Sequence, residues 1–416
     1  MTGIAKEKGS KMEWLIPFGM VLLLFVNVLF NVLEIPSFFR FWDEIVSILI
    51  IAVGLFIIPK DELSKIKVPL LLLFLVTVIG LCGNIFFDYS VPITYVFRDV
   101  IVFLKFPLVF LVSFLLFERL QISERIKKIC LFIIEAIVGL IALFGIISLS
   151  KNIGMSQDEI RFGIKSYKFL FPHPSNLVLT MVMSLCLIDS LDVRGKRKTL
   201  FELLCLIIIM MTMRTKGFVF VGAFIAIKFV YRYFYKYRKF LFVILPVLAI
   251  ILSFYKIMEY TTYDTTPRGS LYQGAVQISN ENFPLGSGFA SFGSDLSVRA
   301  ESRVYDNIDI SFYYHNGVLV KDIYDDAGLA FYLGEFGYIG FLIFALLLAT
   351  IFRYALFGVG AVNEKGIKNR SSVLALIVYV IVALPAEAVF TNNGLEIAIM
   401  LSFLACLCRE RRGRIA

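Results

Sequence analysis

Charge is scarce in this chain. Of 416 residues only 18% are Asp, Glu, Lys or Arg, 59% are hydrophobic, and the mean hydropathy is +0.83. That is more apolar surface than one water-soluble core can hide, so the composition excludes an ordinary soluble enzyme and indicates an integral membrane protein. Histidine is scarcer still, with His173 and His315 the only two. No Cys/His cluster has zinc spacing, and no protein-bound metal is expected. The six cysteines (Cys82, Cys130, Cys186, Cys205, Cys406 and Cys408) all fall inside or at the ends of apolar runs. None lies in the long polar loop where a disulfide framework would sit, and they read as helix-packing thiols. Also missing are a solenoid-period repeat, a low-complexity tract and, after the basic N-terminus MTGIAKEKGSKME, any small-x-small cleavage site. The first apolar run therefore reads as a retained spanning helix rather than a removed signal.

What is present is a series of apolar runs of spanning or near-spanning length. They lie near 14–33, 42–59, 67–87, 96–117, 128–150, 174–190, 198–213, 217–232, 240–257, 329–352, 372–390 and 393–408. The expected architecture is all-α, polytopic, with about twelve transmembrane helices and both termini cytoplasmic. The Lys/Arg distribution agrees with that count: inner loops and tails carry 26 of the 41, outer loops 12, and Lys105, Lys228 and Lys256 lie within helices. This asymmetry also accounts for the net charge of +9 without invoking nucleic acid.

The chain divides into helices one to nine over 1–257 with an outer loop at 151–173, a large extracytoplasmic loop over 258–328, and helices ten to twelve with a basic cytoplasmic tail over 329–416. A loop that long is expected to hold local structure and to carry function. Between 258 and 328 ten carboxylates face four cations, so the loop itself is acidic.

Within it, Thr266-Pro267 reads as an N-cap and first helical residue, and Leu271, Tyr272, Ala275, Val276 and Ser279 follow at helical spacing. A short amphipathic outer-face helix ending at Asn280–Asn282 is expected. The glycine-rich turn Pro284–Gly293 follows it, suited to close backbone approach by a neighbour or a ligand. The run GSGFASFG lacks the spacing of a dinucleotide fingerprint.

Arg268 opens that helix, where the N–H groups and dipole already favour an anion. Arg98, Arg161, Arg214 and Lys216 fall on the same side of the membrane. Arg98 and Lys105 are seven residues apart, hence on one helix face, with Lys105 about 10 Å deeper. An ionisable group at that depth implies a water-filled cavity, an anionic ligand, or a pair with Asp99 or Glu135. Cations converging on an outer cavity suit a lipid pyrophosphate, whose leaving charge they would stabilise. Nucleotide donors are not expected outside the inner membrane, so a glycosyl transfer there would draw on a lipid-linked donor.

Four segments resemble the superfamily of bacterial O-antigen polymerases (Wzy) and O-antigen ligases. RFGIKSYKFLFPHPSNL (161–177) resembles the family's arginine, glycine and Pro-Asn-type helix entry. MTMRTKGFVF (211–220) is similar to its Thr-x-Ser-Arg-Gly turn, with Lys216 beside Gly217 and Arg214 two residues earlier. RGSLYQGAVQISNENFPLGSGFASFG (268–293) resembles an arginine-led helix followed by Asn-Pro-Leu-x-Gly-x-Gly. DDAGLAFYLGEFGYIGFLIF (325–344) resembles the approach to a Gly-x-x-Gly helix. A ligase is expected to carry histidine near that helix start, where this chain has Asp325 and Asp326, with His315 upstream.

The resemblance implies a metal-independent transfer at the outer face of the cytoplasmic membrane, with no cofactor. The growing glycan on undecaprenyl diphosphate passes to a new lipid-linked repeat unit of an O-antigen or capsule. Arg161, Arg214, Lys216 and Arg268 are expected to bind the diphosphate, supported by Arg98 and Lys105. Asp326 is the first candidate for the acceptor's proton, ahead of His315, Asp325 and Glu335; as the residue before Ala-Gly-Leu it also reads as a helix N-cap. A chain-length regulator and a flippase are the expected partners. A ligase acting on lipid A core, and a non-enzymatic lipid-oligosaccharide flippase or transporter, remain the alternatives.

Overall fold

The computed structural model describes residues 15–33, 41–119, 122–161, 163–191, 195–234, 237–262, 267–306, 308, 314–315, 318–319, 327–358 and 370–413. The described chain is almost entirely helical: α1 (Leu15–Val32), α2 (Trp42–Ile57), α3 (Lys67–Phe86), α4 (Ile93–Arg119), α5 (Glu124–Ser150), α6 (Pro174–Leu191), α7 (Lys196–Met211), α8 (Thr215–Tyr233), α9 (Arg238–Thr262), α10 (Pro267–Glu281), the single turn α11 (Asp295–Arg299), α12 (Gly328–Phe357), α13 (Ser371–Ala383) and α14 (Val389–Gly413). A further helical turn from Lys60 leads directly into α3. The sheet content is two antiparallel pairs: β1 (Ser156–Arg161) with β2 (Ile164–Tyr167), and the two-residue β3 (Tyr314–His315) with β4 (Val318–Leu319).

Among the described residues, seven helices are long and apolar enough to cross a membrane: Lys60–Phe86, Ile93–Arg119, Glu124–Ser150, Pro174–Leu191, Phe240–Thr261, Gly328–Phe357 and Val389–Leu407. Large apolar side chains face outward along the bundle, among them Phe56, Phe74, Phe132, Leu143, Phe240 and Leu342. A soluble protein does not tolerate such a surface, whereas lipid tails solvate it. This is a helical membrane-embedded protein.

The core forms where α4 and α14 lie against each other, with α2 and α12 flanking α4 and α3 packed on α12. Phe106 of α4 stacks on Phe390 of α14 with ring centroids 4.1 Å apart. Phe103 meets Phe336 and Phe344 of α12 at 5.0 and 5.9 Å, and Phe289 of the glycine-rich turn at 5.7 Å. These are the offset and edge-on geometries that ring quadrupoles favour. α5 starts at Ser123, whose side chain accepts from Ile126 N, as an N-cap should.

Two expected helix bounds are corrected. The run 372–390 is not one helix: α13 stops at Ala383, because Pro385 has no N–H to continue the ladder and its ring clashes with the preceding turn. The last helix starts at Val389 rather than 393, and bends at Asn393, whose φ and ψ are −135° and 24°.

The short amphipathic helix expected after Pro267 is α10. It buries Leu271, Tyr272, Ala275, Ile278 and Ser279, while Val276 is exposed; its expected cap, Thr266, lies outside the described residues. The glycine turn behind it approaches a neighbouring backbone. Ser287 N and Gly288 N donate to Gly334 O and Glu335 O at 3.0 and 2.9 Å. A Cβ on Gly286 would lie 2.4 Å from Glu335 carbonyl atoms, which only glycine avoids. Asn84 completes the clamp, its Nδ2 donating to Phe289 O at 2.9 Å and its Oδ1 accepting from Phe289 N at 2.8 Å.

Candidate functional site

Three helix starts converge on one cavity. The sequence SYKFLFPHPSN ends the β1–β2 hairpin and enters α6 at Pro174, a residue pre-shaped for the first helical turn. Thr212-Met213-Arg214 turns from α7 into α8, with Met213 held at φ +53° and Arg214 as the N-cap residue. Pro267 opens α10. Ser175 and Asn176 of α6, Thr215 and Lys216 of α8, and Arg268 of α10 all line a cavity of about 860 Å³. The partial positive charge of each helix N-terminus adds to the side-chain cations there.

The cavity walls also include Arg161 at the end of β1, His173, Glu387 from the break between α13 and α14, and Lys256, Glu259 and Tyr260 from the end of α9. Arg214 Nη2 donates to Gln157 Oε1 at 2.6 Å and contacts His173 Nε2 at 3.0 Å. Lys216 Nζ donates to both Glu387 oxygens at 2.5 Å. Arg268 lies over the Tyr260 ring at 5.5 Å, with Nη1 donating to Tyr260 Oη at 3.4 Å. An aromatic face under a guanidinium helps to hold it in place. Tyr272, behind Arg268 on α10, donates to Pro385 O at 2.9 Å, and burial raises its phenol above the usual range.

The structure thus brings together Arg161, Arg214, Lys216 and Arg268, the four cations singled out from sequence. It separates Arg98 and Lys105 from them. Both line a second cavity of about 250 Å³, together with Trp42, Asp43, Glu44, Asp99 and Glu396. Arg98 stacks over Phe41 at 4.6 Å. Lys105 forms its ion pair with Asp43 and donates to Thr391 O at 3.0 Å. The expected Lys105 partners were Asp99 or Glu135. Instead Asp99 Oδ2 accepts from Ala290 N at 2.6 Å, anchoring the glycine turn, and Glu135 pairs with Arg197.

Among the candidate proton acceptors, Asp325 and Asp326 lie outside the described residues, as does the side chain of His315, whose backbone forms part of β3. Glu335 is fully buried on α12 and lines neither cavity.

Sequence reasoning missed Glu387, Tyr260 and the role of His173. The signal for Glu387 was Pro385, which ends a helix within an apolar run and leaves the glutamate at the break. The hairpin that carries Arg161 had a weaker signal, polar residues around Gly163, whose φ is +79°. No protein-family model, no curated protein and no solved structure matches this chain.

Proposed function

We propose that the protein is a membrane glycosyltransferase that polymerises surface-polysaccharide repeat units, O-antigen or capsule, by moving the growing glycan from undecaprenyl diphosphate to a new lipid-linked repeat unit. The observation that carries this reading is the convergence of Arg161, Arg214, Lys216 and Arg268, drawn from separate segments, on one large cavity that also receives three helix N-termini. A diphosphate has the charge and the number of acceptor oxygens to engage such a set.

The apolar helices α1 to α9 and α12 to α14 are read as twelve spans with both termini cytoplasmic, in the bacterial inner membrane. The cavity then faces the exterior, where the lipid-linked sugars are displayed. The acceptor hydroxyl attacks the anomeric carbon of the donor, and the bond from that carbon to the diphosphate oxygen breaks with its electron pair leaving on the diphosphate. The guanidinium groups stabilise that charge as it develops. The acceptor proton passes to a carboxylate or to His315, with Asp326 the first candidate. The reaction on this reading is independent of metal and cofactor, and a chain-length regulator and a flippase are its partners in the membrane.

The test supplies purified protein with undecaprenyl-diphosphate-linked repeat units in the presence of chelator. A ladder of lengthened glycans is expected. Glycan appearing only on an added lipid A core would make the protein a ligase, and movement of the lipid across a liposome without glycan growth would make it a flippase.

A further inference from the structure

The two cavities carry opposite charge and adjoin, because Asn27 and Asn392 line both. The larger one is cationic. In the smaller one Asp43, Glu44, Asp99 and Glu396 outnumber Arg98 and Lys105; Asp295 also lines it but is paired with Arg299 at 2.6 Å.

The hydrogen-bonding capacity of this acidic cavity is not used up internally. Asp43 is occupied by Lys105, and Asp99 by the Ala290 backbone. Glu396 is different: it is only 5% exposed, lines the cavity, and the one hydrogen bond given to its carboxyl comes from its own backbone. Glu44 hydrogen-bonds the Asp43 side chain, and its buried Oε2 has no partner. Leaving buried carboxyl oxygens short of donors is costly, so a site with such spare acceptor capacity is shaped for something that supplies hydroxyl or amide donors. Trp42 adds a flat apolar wall beside them. Carboxylates that accept from neighbouring hydroxyls, amides that both donate and accept, and an aromatic face for ring C–H groups together fit the two kinds of surface that a pyranose presents. A cavity of about 250 Å³ holds one sugar ring rather than a chain.

We propose that this cavity is a saccharide subsite that takes the terminal pyranose of the acceptor, a sugar without an acidic group, through Glu396, Glu44 and Trp42. Its role as the acceptor subsite rests on the diphosphate reading of the larger cavity. Sugar and diphosphate would then meet at Asn27 and Asn392. The excess of carboxylates repels a uronic acid, which sets the class of residue accepted.

Trp14 and Trp42 are the only tryptophans, so Trp14→Phe leaves Trp42 as a single reporter. Full-length Trp14→Phe protein in lipid nanodiscs is titrated with methyl pyranosides of neutral, 2-acetamido and uronic type, following Trp42 emission. Inorganic pyrophosphate is titrated separately by calorimetry. A saturable response to a neutral or 2-acetamido pyranoside, and none to the uronide, is expected. Glu396→Gln should weaken that response about tenfold or more, the worth of a hydrogen bond to a charged group. Pyrophosphate affinity should stay within about twofold, as for independent sites. Glu44→Gln gives a second reading if Glu396→Gln does not fold. Absence of any saturable pyranoside response in the parent, or unchanged affinity in both carboxamide variants, overturns the subsite. Pyranoside binding in a parent that does not bind pyrophosphate overturns the diphosphate reading, and the acceptor role with it.

Discussion

Lys216 Nζ lies 2.5 Å from both carboxylate oxygens of Glu387, within the cavity that gathers Arg161, Arg214 and Arg268. One of the four converging cations therefore comes with its own counter-ion. A bidentate partner holds Lys216 in place in the absence of ligand, and an entering diphosphate competes with Glu387 for it. The turn from α7 into α8 carries lysine beside Gly217, and this pairing shows what that lysine does locally: it ties α8 to the break between α13 and α14.

Removing one member of the pair should cost more than removing both. Lys216→Met leaves Glu387 uncompensated and should lower stability by about 2 kcal/mol, less than the full buried-pair value because the cavity admits water. Lys216→Met/Glu387→Gln should recover part of that loss. Thermal unfolding of the two single variants and the double in one detergent gives the coupling; simple additivity would mean the pair is structurally idle.

Arg268 lies over the Tyr260 ring, donates to Tyr260 Oη and lines the larger cavity. Arg268→Ala should weaken binding of a lipid diphosphate and reduce turnover by about 10²–10³-fold, the loss seen when one donor to a developing anion is removed. The fold should persist. Arg268→Lys should restore only part of the activity, since an ammonium lacks the planar fork. Calorimetric titration with undecaprenyl diphosphate, beside a melting curve, checks both halves.

Gly337 interrupts α12 with φ +63°, and a Cβ there would meet Leu285 O at 2.3 Å. Gly337→Ala should therefore push the glycine turn off α12 and cost about 3 kcal/mol through combined backbone strain and overlap. Gly222 of α8 has no atom within 4 Å of the same position. Gly222→Ala should be neutral, or stabilising by up to about 1 kcal/mol from helix propensity. Melting temperatures of the two variants should move in different directions or by clearly different amounts.

Asp189, near the end of α6, joins four helices. It accepts from Lys198 at 3.0 Å, from Lys228, and from Ser371 and Ser372 at 2.9 and 2.8 Å. Asp189→Asn removes the more buried of the two carboxylates, Asp189 and Glu202, that Lys198 and Lys228 share, and should destabilise the bundle by about 2 kcal/mol. Ser372→Ala should cost about 1 kcal/mol, the value of one hydrogen bond. Denaturant or thermal unfolding in detergent, followed by helix content, measures both.

The helices were legible because lipid-facing and core-facing positions are both apolar, so each run announces itself by length. The amphipathic α10 was legible from Pro267 and the spacing of Leu271, Tyr272 and Ala275. The grouping of Arg161, Arg214, Lys216 and Arg268 was anticipated from the sequence, where the alternation of Lys and Arg between loops reads all four as lying on one side of the membrane. What stayed hidden depended on contacts distant in sequence. Lys105 pairs with Asp43 across 62 positions, and Lys216 with Glu387 across 171, and no local pattern encodes either choice. The break at Pro385 was readable in principle, but the flanking apolar residues masked it. The glycine turn read as suited to a neighbour or a ligand, and the structure supplies the neighbour in the backbone at Gly334 and Glu335.

The central claim is tested most directly by following glycan length over time. Purified protein in nanodiscs receives undecaprenyl-diphosphate-linked repeat units as the sole substrate, in chelator, with Arg268→Ala run in parallel. A ladder that lengthens with time for the unaltered protein, and its loss in the folded Arg268→Ala variant, is the expected result. An unaltered protein that forms no ladder, or an Arg268→Ala variant that elongates at the normal rate, would contradict the account.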